Sequence, residues 1–316
     1  MDSRRNQVSV IIPARNRHHL LARAIRSVQA QVGIECDLIV VDDASDPPVD
    51  DFLRNLKIEN VRVLRNDVRR NAAYCRNRGA EEACFEHLAF LDSDDVWFPV
   101  HLKCALQALP DPTADILYVS RFGPEEKTHW AKPTKTSDAN ALIFDRRGDP
   151  RSSVLVCGKR FFQRVKGFDE NLEKYQDWDF ALRCANAGTI LLGGSTTGFL
   201  DSRAADRMSS RVDLGAARMF LGRHGKGMSR RHLSRFFATL LITAAAQNDP
   251  EEHRVALDLW SEYLSLRYFP VRYWPLLCCR RTGLLLMNAW LSLRRLHSRL
   301  PWRVDPMAPR ADRRLI

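Results

Sequence analysis

Two aspartates separated by a single serine, Asp92 and Asp94, have the clearest chemical use in this 316-residue chain. They stand in Leu88-Ala-Phe-Leu-Asp-Ser-Asp-Asp-Val-Trp97, where an apolar run stops abruptly at a group of carboxylates. Hard divalent cations take oxygen ligands, and Mg2+ or Mn2+ accepts carboxylates together with the oxygens of substrate phosphates. The same cluster also reads as an N-capping group ahead of a helix near His101. A second acidic segment, Gln176-Asp-Trp-Asp-Phe-Ala-Leu-Arg183, sets Asp177 at or near a helix start, where the dipole favours a carboxylate. Asp177 is then either a general base for an attacking hydroxyl or a plain helix cap. A third acidic pair, Asp42-Asp43, follows the run Leu38-Ile-Val-Val41.

Such acids need elements that aim them, and the first 120 residues read as a β/α alternation. Val8-Ser-Val-Ile-Ile12, ended by Pro13, suits a buried parallel strand. Leu21, Ala24, Ile25, Val28 and Val32 recur at helical spacing until Gly33. Leu38–Val41 is a second strand, Val61–Leu64 a third and Leu88–Leu91 a fourth. Between them lie a short helix marked by Val49, Phe52, Leu53 and Leu56, and another lined by Ala72, Cys75, Gly79, Ala80 and Ala83. Strands joined by crossover helices predict an α/β fold with a mostly parallel sheet and right-handed connections. The acids therefore fall at the carboxyl ends of strands two and four, the edge where open α/β sheets bind ligands. Neither G-x-G-x-x-G nor G-x-x-x-x-G-K-[ST] occurs. A nucleotide here must have its phosphates neutralised by other means, and a carboxylate-held divalent metal is the obvious one.

Beyond residue 120 the pattern changes. Phe122–Asp149 reads as a polar, loop-rich insertion, and Ser152–Val156 as a returning strand. Phe161, Phe162 and Val165 mark a helix closed by Gly167, and Asp177–Ala187 a helix closed by Gly188. From about Met228 the pattern is helical with Arg-rich faces. We divide the chain into a catalytic region 1–212, with halves 1–120 and 121–212, and a basic helical region 213–316.

Composition narrows the class. With 45% hydrophobic and 28% charged residues the chain can bury a core, which excludes global disorder. The net charge of +11 is uneven: Arg267–Ile316 holds eleven Arg against two Asp, leaving about +2 for the rest. That is an ordinary body with a basic tail, not a uniformly basic nucleic-acid binder. The eight cysteines form no C-x-x-C, so free thiols in a reducing compartment are expected. The N-terminus lacks signal-peptide character, and no uncharged apolar run reaches the roughly 20 residues of a membrane span. A cytoplasmic protein without a span is expected.

Taken together, Val8-Ser-Val-Ile-Ile-Pro-Ala-Arg-Asn-Arg17, Ile39-Val-Val-Asp-Asp-Ala-Ser-Asp46, Ala72-Ala-Tyr-Cys-Arg-Asn-Arg-Gly79, Leu91-Asp-Ser-Asp-Asp95, Gly167-Phe-Asp-Glu170 and Asp177-Trp-Asp179 form a co-linear series. The stretch from Val8 to about Ser210 resembles family 2 glycosyltransferases, which have the GT-A fold, a Rossmann-like and mostly parallel sheet flanked by helices. The resemblance implies an inverting transferase that moves a sugar from a nucleotide-diphosphate donor, with UDP favoured, to an acceptor hydroxyl. It implies Pro13, Arg15 and Asn16 bordering the base and ribose, Asp43 accepting from the base, Arg76 holding the nucleotide, and Asp92 facing ribose and metal. Asp94 would ligate Mg2+ or Mn2+, and Asp177 would be the base, with Asp179 as the other candidate. The chain departs from the pattern where the family usually has an aromatic, at Ala14 or Arg15, and at Gln176, where it commonly has Glu. Arg203, Arg207, Ser209 and Ser210 are candidates for a basic flap over the diphosphate.

Two other readings compete. A haloacid-dehalogenase-type phosphatase also uses D-x-D-x-[TV], matching Asp92–Val96, but its nucleophile ends the first core strand rather than the fourth. A membrane-surface adaptor would make the basic tail the function and leave the acidic motifs unexplained. The tail itself, Tyr268–Arg299, mixes Trp, Leu and Arg as an in-plane amphipathic helix does. It predicts peripheral attachment to the anionic inner face of the membrane, close to a lipid-linked or surface-glycan acceptor.

Overall fold

The computed structural model describes residues 6–123, 133–144, 150–200, 212–247 and 250–264. They divide into two compact units, one ending at His232 and the other starting at Leu233. In the first, β1 (Gln7–Ala14), α1 (His18–Gln29), β2 (Glu35–Asp42), α2 (Val49–Asn55), β3 (Arg62–Arg65), α3 (Ala72–Glu81) and β4 (His87–Phe90) alternate as expected. There follow β5 (Asp95–Trp97), α4 (His101–Ala108), β6 (Ile116–Phe122), β7 (Thr134–Thr136) and α5 (Ala139–Phe144). The unit continues with β8 (Leu155–Gly158), α6 (Lys159–Arg164), α7 (Gln176–Ala187), β9 (Thr189–Leu200) and α8 (Leu214–His224). The second unit holds most of α9 (Arg230–Gln247) and α10 (Pro250–Tyr263), with Phe237 packed 5.3 Å from the buried Trp260.

The strands make one mixed sheet in the order β3-β2-β1-β4-β8-β6-β9-β5, with β7 on β9. β1 to β4 run parallel, β8 is antiparallel to both β4 and β6, and β9 is parallel to β6. β5 and β7 run antiparallel to β9, so most strands still point one way. β1, β4 and the second half of β2 are buried, and Val10, Ile12, Leu38, Val40 and Ala89 share a core with Leu21, Ile25 and Val28 of α1, whereas β3 at the sheet edge is partly exposed. Register then sets the ligand edge. Pro13 lies opposite Val41 and Ala14 opposite Asp42, whereas β4 stops with Phe90 opposite Ile11. The chain after β4 can therefore turn under the end of β1.

Several expectations change. Val32 lies past the end of α1 and is 53% exposed, so it is not part of the helix face. Ser152–Val154 is a 3-10 turn, and the returning strand starts at Leu155. Both of its serines are buried, and the polar atoms of Ser153 are used by the acidic turn described below. β5, β6 and β9 were not legible: three-residue β5 carries no period, the short run in β6 has no period to separate it from buried helix, and Gly193-Gly194 interrupts β9. The expected loop 122–149 contains β7 and α5. Arg203, Arg207, Ser209, Ser210 and the tail Tyr268–Arg299 lie outside the described residues. Among the described residues no helix is long and apolar enough to cross a membrane.

Candidate active site

After β4 the chain folds back on itself through Asp92-Ser-Asp-Asp95, closed by a 3.1 Å bond from Asp95 N to Asp92 O. Ser153 holds this turn from the neighbouring 3-10 segment. Its Oγ accepts from Asp92 N at 2.9 Å and donates to Asp95 Oδ2 at 2.7 Å, and its carbonyl accepts from Trp97 Nε1 at 2.6 Å. Asp95 is buried, while Asp92 and Asp94 are only partly buried. One oxygen from each of the three carboxylates comes within 4.8 Å of the others, a hard-oxygen set that suits Mg2+ or Mn2+. The acids do not cap the following helix: Val100 occupies that position without a side-chain cap. Two arginines approach the cluster instead. Arg17 Nη1 lies 2.6 Å from Asp94 Oδ2, and Arg76 Nη2 lies 2.6 Å from Asp92 Oδ1.

The end of β2 is a second acidic corner. Asp42 is fully buried and is used by the fold: its carboxylate accepts from Ser45 N, Val49 N and Arg65. Asp43 Oδ1 accepts from Asn66 Nδ2 and Arg70 N, both at 2.8 Å, which draws the loop after β3 against the β2 edge. Pro13 sits partly buried in β1, and Arg15 and Asn16 are exposed just past it. Asn16 adopts the left-handed φ of +51° that Asn tolerates. It is pinned by its N bonded to Ser45 Oγ at 3.1 Å and by Asp46 N bonded to its Oδ1 at 2.9 Å. Ala44 and Tyr175 also have positive φ, beside Asp43 and Gln176. Unfavourable backbone of this kind gathers where surrounding structure fixes a site.

α3 joins this edge to the next. A Cβ on Gly79 would come 2.5 Å from Ile11 Cγ2, so only glycine lets the helix lie this close to β1. Arg76 is thereby held 3% exposed, with Nη1 donating to Gln176 Oε1 at 2.9 Å and its guanidinium 5.1 Å from the centre of the Phe168 ring. Its Nε has no hydrogen-bond partner among the described residues. Arg76 thus joins Asp92 to the residue that precedes Asp177.

α7 is hung from side chains that come from far along the chain. Asn77 bonds the carbonyl and N of Phe168 and the Glu170 carboxylate, each at 2.8 Å, and Asn71 reaches Glu170 O at 2.7 Å. Phe168 packs on Phe180 at 4.6 Å and on Phe90 at 5.1 Å. Asp177 is half-buried, and its Oδ1 accepts from Trp178 N at 3.0 Å in the first helical turn. Asp179 is 0% exposed and occupied, by Arg183 at 2.7 Å and His224 Nε2 at 2.8 Å. Burial pushes the Asp179 carboxyl up, but the bonds from His224 and Arg183 outweigh this and hold it below the ordinary carboxylate value. A carboxylate so engaged is a poor proton acceptor for a substrate, which leaves the partly buried Asp177 as the candidate base of the two.

Residues 9–175 match the family model described as glycosyl transferase family 2. The chain belongs to glycosyltransferase family 2. It is 26% identical over 183 residues to an uncharacterized glycosyltransferase of Haemophilus influenzae, covering 56% of this chain and 61% of that one. It is 35% identical over 184 residues to the succinoglycan biosynthesis protein ExoW of Rhizobium meliloti, covering 51% and 57%. It is 29% identical over 152 residues to the Escherichia coli UDP-Glc:alpha-D-GlcNAc-diphosphoundecaprenol beta-1,3-glucosyltransferase WfgD, covering 44% and 60%. The chain thus spans about 60% of the length of each of these relatives. In structure, residues 1–349 of S. aureus TarS in complex with UDP-GlcNAc superpose with a TM-score of 0.61 at 16% identity, covering 95% of this chain and 94% of TarS. The fold is therefore GT-A.

Within this glycosyltransferase fold, four residues that hold the site carried no role in the sequence reading. Arg17 and Asn77 stand inside motif segments, so their signal was position alone. Ser153 and His224 had no local signal, because each acts on an acid distant in sequence.

Proposed function

We propose that the chain transfers a sugar from a nucleotide-diphosphate donor, with UDP favoured, to an acceptor hydroxyl with inversion, using Mg2+ or Mn2+. The observation that carries this reading is the linked acidic edge: Asp92, Asp94 and Asp95 cluster at the end of β4, and Arg76 ties Asp92 to Gln176 beside Asp177. Asp94 would hold the metal with Asp92, and the bound metal supplies Lewis-acid neutralisation of the leaving diphosphate. Pro13, Arg15, Asn16 and Asp43 border the space for base and ribose, with Asp43 already acting as an acceptor for an amide N–H and an N–H2 group. Arg76 is too buried to close over a nucleotide and supports it through Asp92.

Asp177 takes the proton from the acceptor hydroxyl as that oxygen attacks the anomeric carbon. The bond from that carbon to the diphosphate oxygen breaks, and its electron pair leaves with the nucleotide. No covalent glycosyl intermediate is needed. The named activity of WfgD supports a UDP-linked donor and a lipid-linked acceptor, and that of ExoW a surface polysaccharide. The excess of Arg after residue 266 supports attachment to an anionic membrane surface. Sedimentation of the full chain with anionic and neutral vesicles, at low and high salt, tests that attachment. The donor reading is tested by calorimetric titration of UDP with Mn2+ present. Asp94→Ala should abolish metal-dependent UDP binding and transfer while far-UV circular dichroism stays unchanged. Unchanged affinity in that variant refutes the assignment.

A further inference from the structure

We propose that Gln176 is a positioning residue for the base: its neutral amide clasps the start of α7 to α3, and the nearly isosteric glutamate does not replace it. The inference rests on Asp177 being the base, and goes beyond that reading by assigning the side chain that sets where this carboxylate stands.

Gln176 is the first residue of α7 and is buried. Both ends of its amide are used inside the protein. Oε1 accepts from Arg76 Nη1 at 2.9 Å, and Nε2 donates to Leu172 O at 2.5 Å. These partners cannot trade roles, because a guanidinium only donates and a carbonyl only accepts. Together they select an amide, held in one orientation. Each partner is itself fixed. Arg76 is buried and bonds Asp92 through Nη2, and Leu172 is buried with its N bonded to Asp169 O at 3.2 Å. Tyr175 has a left-handed φ of +65°, so the chain bends just before the helix. The clasp spans that bend, from Leu172 on one side to Gln176 on the other. Asp177 follows directly and takes its backbone position from Gln176. A glutamate has the same length, but its ionised carboxylate only accepts. The oxygen replacing Nε2 would face Leu172 O across 2.5 Å with no proton between them. It also puts a charge where the buried site holds a neutral group. Relief requires the start of α7 to move, and Asp177 moves with it. The departure from Glu at this position is thus built into the packing.

The test is a double-mutant cycle on the full chain, comparing wild type, Gln176→Glu, Asp177→Asn and the double variant. Turnover is read as UDP release from UDP-glucose and UDP-N-acetylglucosamine in the presence of Mn2+, with water as acceptor. The donor edge is read separately, as UDP affinity by calorimetry. Gln176→Glu should lower kcat by about 10- to 100-fold, a loss larger than any loss in UDP affinity. In the Asp177→Asn background the same exchange should change kcat little, because the base that it positions is gone. Gln176→Met removes both bonds without adding a charge; it should behave likewise, and it carries the comparison if the glutamate variant does not fold. Wild-type kcat in the Gln176 variants, an equal loss in both backgrounds, or a loss of UDP affinity as large as that of kcat overturns the positioning role alone. Wild-type turnover in Asp177→Asn, or a wild type that releases UDP from neither donor, overturns the reading of the site and the inference together.

Discussion

The donor edge and the catalytic edge of this site are built by opposite means. On the donor edge, Asp43 and Asp92 follow the ends of two parallel strands that flank β1, and their positions come from where β2 and β4 stop. On the catalytic edge, α7 and the segment before it are held by side chains that come from far along the sequence: Asn71 and Asn77 bond residues 168–170 and Arg223 bonds Asp169, while Arg76 reaches Gln176 and His224 reaches Asp179. Both edges nevertheless divide labour in one way. Each has neighbouring acids of which one is buried and spent on structure while the other is only partly buried: Asp95 beside Asp94, and Asp179 two residues from Asp177. Burial and neighbours, not residue type, decide which carboxylate is available for chemistry.

The largest expected effect comes from the partly buried member on the catalytic edge. Asp177→Asn should cut turnover by about 10²–10⁴-fold while UDP affinity with Mn2+ stays at the wild-type level. Turnover close to wild type in a steady-state assay would mean that another group takes the proton. The buried member behaves differently. Asp179→Asn weakens the acceptor shared by Arg183, Arg223 and His224, and breaking a buried pair of this kind costs about 3 kcal/mol. Chemical denaturation should show that loss, with UDP affinity retained because the donor edge does not hang on α8. A loss of UDP affinity equal to the loss of stability would erase the distinction between the edges.

Ser153→Ala carries a smaller effect on the donor side. It removes a donor from buried Asp95 and an acceptor from Asp92 N, at a cost of about 1–3 kcal/mol. Here UDP affinity in the presence of Mn2+ should fall as well, since the turn that presents Asp92 and Asp94 loosens. The smallest signal is in acid. Burial raises the Asp169 and Asp179 carboxyls, but their hydrogen bonds and charge partners bring both below the ordinary value for an aspartate. A folded-state value below the unfolded one gives stability that is present above about pH 4 and is lost as pH falls through the folded values. Melting temperature measured at pH 6 and pH 3 should therefore drop more for wild type than for Asp179→Asn.

Sequence pattern alone determined the alternating β/α half, because a buried parallel strand must be a continuous apolar run and its covering helix must repeat every three to four residues. Val8–Ile12, Leu38–Val41 and Leu88–Leu91 meet the first condition, and Leu21, Ala24, Ile25 and Val28 the second. The position of Asp43 and Asp92 at the ligand edge follows from those runs. Tertiary structure decided the rest. β5, β6 and β9 were hidden because short or interrupted strands have no period of their own and are defined by their partners. Which acid of each pair is spent depended on Ser153 and His224, residues 58 and 45 positions away from the acids they bind. Hydrogen bonds over such spans leave no trace in local spacing. Only the folded chain brings Ser153 to Asp95, His224 to Asp179 and Arg17 to Asp94.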